Sequence, residues 1–255
     1  MWPGSAATGG DPYWSNVVLL MGYEGTDGAT SGPGYVDESP AAHGTATTYY
    51  DVKISTTRKR FGASSLWLAR TTNGTSAISF PTSANWDIGA GQFTIEFFFS
   101  INNLDGGSTV QQPVFSGPNR NYEIRFQGLI FTFSATDGGA GAFTLSDAVN
   151  VPDGTQWYYC AVDFDGTKYR LYHNMNGASG SQGPAFANAN MIASHTGGIT
   201  ISSSATLLEI GSTGLTISLH SADMWVDEVR FTKGVARYAT DTSFPVPTAA
   251  FPRHA

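Results

Sequence analysis

The sequence holds one cysteine and few charges, and both scarcities set limits. With Cys160 alone, neither an intrachain disulfide nor a thiolate metal cage can form. Its setting, Trp157-Tyr158-Tyr159-Cys160-Ala161-Val162, is apolar and strand-like, so the thiol is expected in the core rather than as a reactive group. Charged residues make up 13% of the 255, and 13 Lys and Arg against 20 Asp and Glu leave a net charge of -7. Phosphate binding needs clustered cations, so a nucleic-acid partner is excluded. The one basic run, Arg58-Lys59-Arg60, is short and reads as a solvated turn entering a strand. No apolar run approaches the roughly 18 residues of a membrane span. The opening Met1-Trp2-Pro3-Gly4-Ser5 lacks the basic and apolar segments of a secretory signal, which predicts synthesis in a cytoplasm. Helical periodicity and fixed-period repeats are both missing, which argues against bundles, propellers and β-helices.

What is present is glycine, 30 in all, with Ser, Thr, Asn and Asp between short apolar runs. That pattern predicts many short strands joined by turns in one all-β domain. Residues 1–14 show no periodicity and are expected as an N-terminal arm, with residues 15–255 as the domain. The clearest strand runs from Gln92 to Ile101, with Phe93, Ile95, Phe97, Phe99 and Ile101 on one face and Thr94, Glu96 and Ser100 on the other. Tyr122 to Phe133 reads as two paired strands or one bent strand, broken at Gly128. Asp165-Gly166 joins Trp157–Phe164 to Lys168–His173 as a hairpin. Further strands are expected at Val17–Tyr23, Ser65–Leu68, Ser76–Phe80, Ala142–Leu145, Ile199–Ser202, Leu207–Ile210 and Met224–Phe231, enough for two stacked antiparallel sheets. The small, polar stretch from Asn174 to Gly198 is expected as loops around weak strands.

Several of these segments resemble laminin-G-like jelly rolls of the concanavalin A type. Asn16 to Gly25 is similar to the family's opening strand, which ends in an aromatic, an acidic residue and Gly; Asp37-Glu38-Ser39-Pro40, Lys53-Ile54-Ser55 and Phe61-Gly62 follow in its order. Phe93 to Phe98 resembles the central strand, Trp157-Tyr158-Tyr159 the Trp-led strand and Trp225 to Phe231 the closing strand. The likeness covers about residues 13–252 and implies an antiparallel two-sheet jelly-roll sandwich. The tail from Val229 to Tyr238, followed by Phe244-Pro245 and Phe251-Pro252, is similar to the ending of jelly-roll domains encoded by tailed bacteriophages. That resemblance implies a non-enzymatic virion structural protein, a capsid decoration, fibre or tail-associated component. It would be made in the host cytoplasm and sit on the virion surface among other virion proteins, with a homo-oligomer such as a trimer expected from particle symmetry.

The resemblance also frames the chemistry. In jelly-roll relatives an acidic residue of the closing strand meets the one ending the first strand, which maps onto Asp227 and Glu24 with Asp37 nearby and implies structural Ca2+. The alternative is that Asp227 and Glu24 accept backbone hydrogen bonds without a metal. Asp163-Phe164-Asp165-Gly166 lacks the further ligands of a calcium loop and reads as a turn. The second functional reading is a carbohydrate-binding adhesin for host surface glycans; Trp14, Trp86, Tyr49 and Tyr50, in loop-like settings, are its candidate contacts, against packing over a sandwich edge. A glycoside hydrolase is the third reading, because relatives of this fold use two carboxylates about 5 to 9 Å apart. Neither Glu96 nor Glu123 has a same-face carboxylate two residues away, so such a pair would have to come from separate strands. The five His residues are dispersed and no Gly-x-Ser-x-Gly elbow occurs, so no other catalytic grouping stands out. Gly138-Gly139-Ala140-Gly141 lacks a following Lys-Thr and reads as a loop, and Asn73-Gly74-Thr75 fits the glycosylation acceptor pattern but, without a signal, is expected to stay unmodified.

Overall fold

The computed structural model describes residues 9–71, 74–103, 111–137, 142–150, 156–177, 187–201, 207–212 and 223–255. Two antiparallel sheets face each other, as the alternating runs predict. The first holds β1 (Val17–Met21), β3 (Lys53–Ser55), β4 (Ser65–Leu68), β8 (Phe93–Asn103), β13 (Tyr158–Phe164), β14 (Lys168–His173), β16 (Asn188–Thr196), β18 (Asp223–Lys233) and β19 (Ser243–Pro245). Its order is β19-β16-β14-β13-β8-β18-β4-β3, and β1 joins the same edge of β18 as β4, further along that strand. The second holds β2 (Thr47–Tyr49), β7 (Ala77–Phe80), β9 (Gln111–Ser116), β10 (Tyr122–Gln127), β11 (Ile130–Thr136), β12 (Ala142–Asn150), β15 (Asn176–Gly177) and β17 (Leu208–Ile210), in the order β15-β12-β11-β10-β9-β17-β7-β2. A small ribbon pairs β5 (Arg70–Thr71) with β6 (Gly74–Thr75).

Phe93, Ile95, Phe97, Phe99 and Ile101 of β8 point between the sheets and meet Phe126, Phe131 and Phe133 from the second sheet, with Cys160 buried among them. Phe99 packs against Phe126 and Phe131 at ring separations of 5.6 and 5.8 Å, edge-on and offset-stacked respectively. The Asp165-Gly166 hairpin forms with Gly166 at φ 93°, and Gly128 at φ 57° turns β10 into β11, so that region is two paired strands.

The outer face of the first sheet, whose exposure alternation alone leaves open, is buried: Thr94, Glu96, Phe98 and Ser100 have no more than 1% exposure. A third layer covers it, in which Phe98, Tyr159 and Tyr172 pack with Phe244, Val246 and Phe251 from the chain's end and with Trp14. The arm boundary also moves, because Asp11 is buried and bonded to Arg230 and Arg237 at 2.9 and 2.8 Å, so residues 9–14 belong to the folded body. Within the stretch from 174 to 198, β16 is a nine-residue strand between β14 and β19. Its small residues can serve as a strand because the partner strands supply the hydrogen bonds. The Arg58-Lys59-Arg60 run is a bend ahead of β4 with Lys59 and Arg60 exposed, as expected, and it lays Arg58 4.3 Å over the Trp225 ring and Arg60 5.3 Å over Phe98. Asn73, residues 138–141 and Ser202 lie outside the described residues; Ile201 makes a single bridge to Gly89.

Candidate functional site

The three expected metal ligands are spent on the backbone. Asp37 Oδ1 accepts the N–H groups of Leu20 and Ser39, and Oδ2 accepts from Ser39 Oγ, the His43 backbone N–H and the His43 ring. Both Glu24 oxygens accept the Ala63 N–H, at 3.1 and 3.0 Å. Asp227 Oδ2 accepts the N–H groups of Arg60 and Phe61 at 2.8 and 3.1 Å, while Oδ1 makes no protein hydrogen bond. Calcium takes about six to eight oxygens. One unpartnered carboxylate oxygen does not fit it, and among the described residues no group of three or more His, Cys, Asp or Glu could hold a metal ion. Burial raises the Asp227 pKa from 3.8 to about 8, against the two backbone donors and with the neighbouring Glu228 charge adding to the rise.

The four expected ligand-binding aromatics are not brought together. Trp86 is fully buried: its indole donates to Pro81 O at 2.9 Å and its ring stacks on Phe231, so it is a core residue rather than a surface contact. Its place in a short turn, Ala84–Trp86, made it look like a loop residue. Trp14 packs half-buried against the third layer, on the far side of the sandwich from the second sheet. Tyr49 lies in β2 with its hydroxyl 3.3 Å from Ser79 Oγ, and Tyr50 follows it, 55% exposed.

Tyr49 marks one end of the arrangement that sequence reading missed. Strand register places Thr47, Ser79, Glu209, Ser116, Glu123, Ser134 and Thr144 opposite one another in a single row across seven strands of the second sheet. Their chain neighbours Ile78, Leu208, Phe115, Ile124, Phe133 and Leu145 point into the core, so alternation turns the row outward. At about 4.8 Å between strands the row spans roughly 29 Å, enough for an oligosaccharide. The central four residues are buried while Thr47 and Thr144 at the ends are exposed, so the middle is recessed.

Glu123 anchors the centre. Its Oε2 accepts from Arg125 at 2.8 Å and from Arg120 at 3.2 Å, and Arg120 also donates to Gln111 Oε1 at 2.9 Å. Two guanidinium groups hold the carboxylate in place. Glu123 Oε1 and Arg125 Nε are buried and make no hydrogen bond within the protein. Each residue type was legible; the register that aligns them came from separate strands and left no local signal.

The family model described as the concanavalin A-like lectin/glucanases superfamily matches residues 71–231. No curated protein sequence matches the chain. Among solved structures, the binding domain of Paraclostridial mosquitocidal protein 1 superposes with TM-score 0.62 at 12% identity, over 88% of this chain and 50% of that one. The botulinum neurotoxin DC binding domain in complex with SialylT gives 0.55 at 9%, over 88% and 50%, and the botulinum neurotoxin type G receptor-binding domain 0.52 at 13%, over 87% and 49%. The chain spans about half the length of these structures, and at such identities the likeness is one of fold. With well over half of its residues inside the matched model, the chain belongs to the concanavalin A-like lectin/glucanases superfamily.

Proposed function

We propose that the protein is a carbohydrate-recognition domain whose ligand lies along the outer face of the second sheet. The observation that carries this is the outward-facing seven-residue polar row centred on Glu123, whose carboxylate is flanked by Arg120 and Arg125. The family's lectin-type fold and its resemblance to toxin binding domains, one of them captured with SialylT, support the same reading. Glu123 and Glu209 sit two strands apart on this face, the separate-strand arrangement a hydrolase would need. Glycosidic cleavage nevertheless needs two carboxyls that both reach the scissile bond, and Glu123 is buried and fixed by Arg120 and Arg125. Binding without cleavage is therefore the better reading. The virion role implied by the closing segment rests on that resemblance alone, and the same surface would serve a virion protein or any other adhesin.

A glycan array followed by calorimetry on the best ligand tests the proposal. Losing one hydrogen bond to a charged group costs about 1.5–3 kcal/mol, so Glu123→Gln and Arg125→Ala should each weaken binding by about ten- to a hundredfold. Absence of any bound glycan, or binding that both variants leave unchanged, would overturn the reading.

A further inference from the structure

His43 stands between a buried carboxylate and a serine. Its Nδ1 lies 2.8 Å from Asp37 Oδ2 and its Nε2 lies 3.2 Å from Ser83 Oγ. Asp37 cannot turn away, because the backbone N–H groups of Leu20, Ser39 and His43 all donate to it and its side chain is fully buried. An ionised carboxylate only accepts, so the proton of a neutral His43 sits on Nδ1 and Nε2 presents its lone pair. Ser83 caps the Ala84–Trp86 turn: its Oγ accepts the Asn85 N–H at 3.1 Å, and that leaves its own proton for His43 Nε2. Trp86 seats the imidazole at a ring separation of 4.2 Å. Forty residues separate His43 from Ser83, which hides the grouping in the sequence.

The surroundings suit a nucleophile. Ser83 is partly exposed, between exposed Thr82 and Ala84, while Asp37 is sealed below it. Two donors lie beside the serine: Asn85 Nδ2, which shares the His43 Nε2 lone pair at 3.0 Å, and Lys233 Nζ, which donates to Ala84 O at 2.7 Å. Donors next to an attacked carbonyl stabilise the charge that develops on its oxygen.

We propose that Ser83, His43 and Asp37 form an esterolytic site for carboxylic esters of short acyl chain, separate from the saccharide face and independent of that reading. Ser83 Oγ bonds to the ester carbonyl carbon while its proton passes to His43 Nε2. The carbon–oxygen bond to the alcohol then breaks, and the alcohol departs with that proton. A water molecule, giving its proton to the same Nε2, attacks the acyl-serine; the carboxylic acid leaves and Ser83 recovers its hydrogen. Asp37 acts through the ring as a positioning residue and stabilises the imidazolium in both halves.

The test uses p-nitrophenyl acetate as substrate and a fluorophosphonate as covalent probe on the full chain. The expected result is one adduct, mapped by mass spectrometry to Ser83, and hydrolysis that falls at least about 100-fold in Ser83→Gly and His43→Gln, within the usual range for a general base. Glycine replaces a capping serine at a cost of only a few tenths of a kcal/mol, so Ser83→Gly keeps the fold. Adduct formation is read on the unaltered protein and needs no variant. A purely structural Asp37–His43–Ser83 chain gives no adduct. Absence of label on Ser83, or hydrolysis equal in the protein and Ser83→Gly, overturns the proposal.

Discussion

Replacing Asp227 by Asn should change how stability depends on pH. Asp227 sits under Arg60 and Phe61 on the outer face of the first sheet, with its side chain buried, and its pKa is raised from 3.8 to about 8. A carboxyl with a raised folded-state pKa keeps its proton in the native state while the unfolded chain has lost it. Stability from this group is therefore fully present at acid pH and is lost as pH rises from about 4 to about 8, at about 1.4 kcal/mol per pH unit. Asn cannot titrate, and its amide oxygen can accept the same two N–H groups. Its NH2 then points where Asp227 Oδ1 has no partner, a pH-independent cost of about 1–3 kcal/mol. The informative quantity is the change with pH: the variant should gain roughly 3 kcal/mol on the parent between about pH 5 and pH 7.5. Urea unfolding followed by tryptophan fluorescence, in matched buffers across that window, measures it. A difference between the two proteins that stays flat with pH would refute the reasoning, showing that Arg60 and the two backbone donors hold the carboxyl ionised despite its burial.

Asp11→Ala should destabilise by about 3–5 kcal/mol in the same unfolding assay, since it leaves the buried guanidinium groups of Arg230 and Arg237 short of a counter-charge. A loss below about 1 kcal/mol would mean that the first described residues are not part of the folded body. Trp86→Ala should cost about 3–5 kcal/mol while leaving glycan affinity of the folded fraction unchanged, because the ring fills the core between Phe80 and Phe231. Selective loss of binding at full stability would return Trp86 to the ligand site. Millimolar Ca2+ and EDTA should give the same thermal midpoint, since binding to the native state would raise it by mass action; a rise with Ca2+ would restore the site at Glu24, Asp37 and Asp227.

The sandwich was legible because its signal is local. Alternation over Phe93 to Ile101 fixes which face meets the core, and Asp165-Gly166 fixes a hairpin, each within a dozen residues. Alternation leaves open what the opposite face meets. Thr94, Glu96 and Ser100 look like a solvated face, yet Glu96 pairs with Arg230, which in turn reaches Asp11, and both tyrosine hydroxyls of Tyr159 and Tyr238 donate to it. Those partners lie 63 to 142 residues from Glu96, beyond any window in which periodicity can be read. The closing strand misled for a second reason. By spacing alone Asp227 is in phase with Val229 and Phe231, but a bulge between Asp227 and Arg230 puts Glu228 at φ 52° and slips the alternation by one. Met224, Val226, Val229 and Phe231 all reach the core, while Trp225, Asp227 and Arg230 point outward.

That hidden layer also bears on where a ligand can bind. A two-sheet sandwich has two outer faces, and the first sheet gives one of them up: Phe98, Tyr159 and Tyr172 are sealed by Phe244, Val246 and Phe251, and its charges are balanced internally as Asp11 and Glu96 against Arg230 and Arg237. Among the described residues, Asp227 Oδ1 and the Trp225 indole nitrogen of that face are buried without a hydrogen-bond partner. The Trp67 and Trp225 rings stack at 5.7 Å, with Lys53 over one and Arg58 over the other, so their flat surfaces are already occupied by cations. The second sheet keeps the opposite balance. Its outer row is made of hydroxyls and carboxylates with no apolar cover from the chain's end. Sealing one face with the chain's end therefore leaves the polar row of the second sheet as the face on which the proposed saccharide would lie.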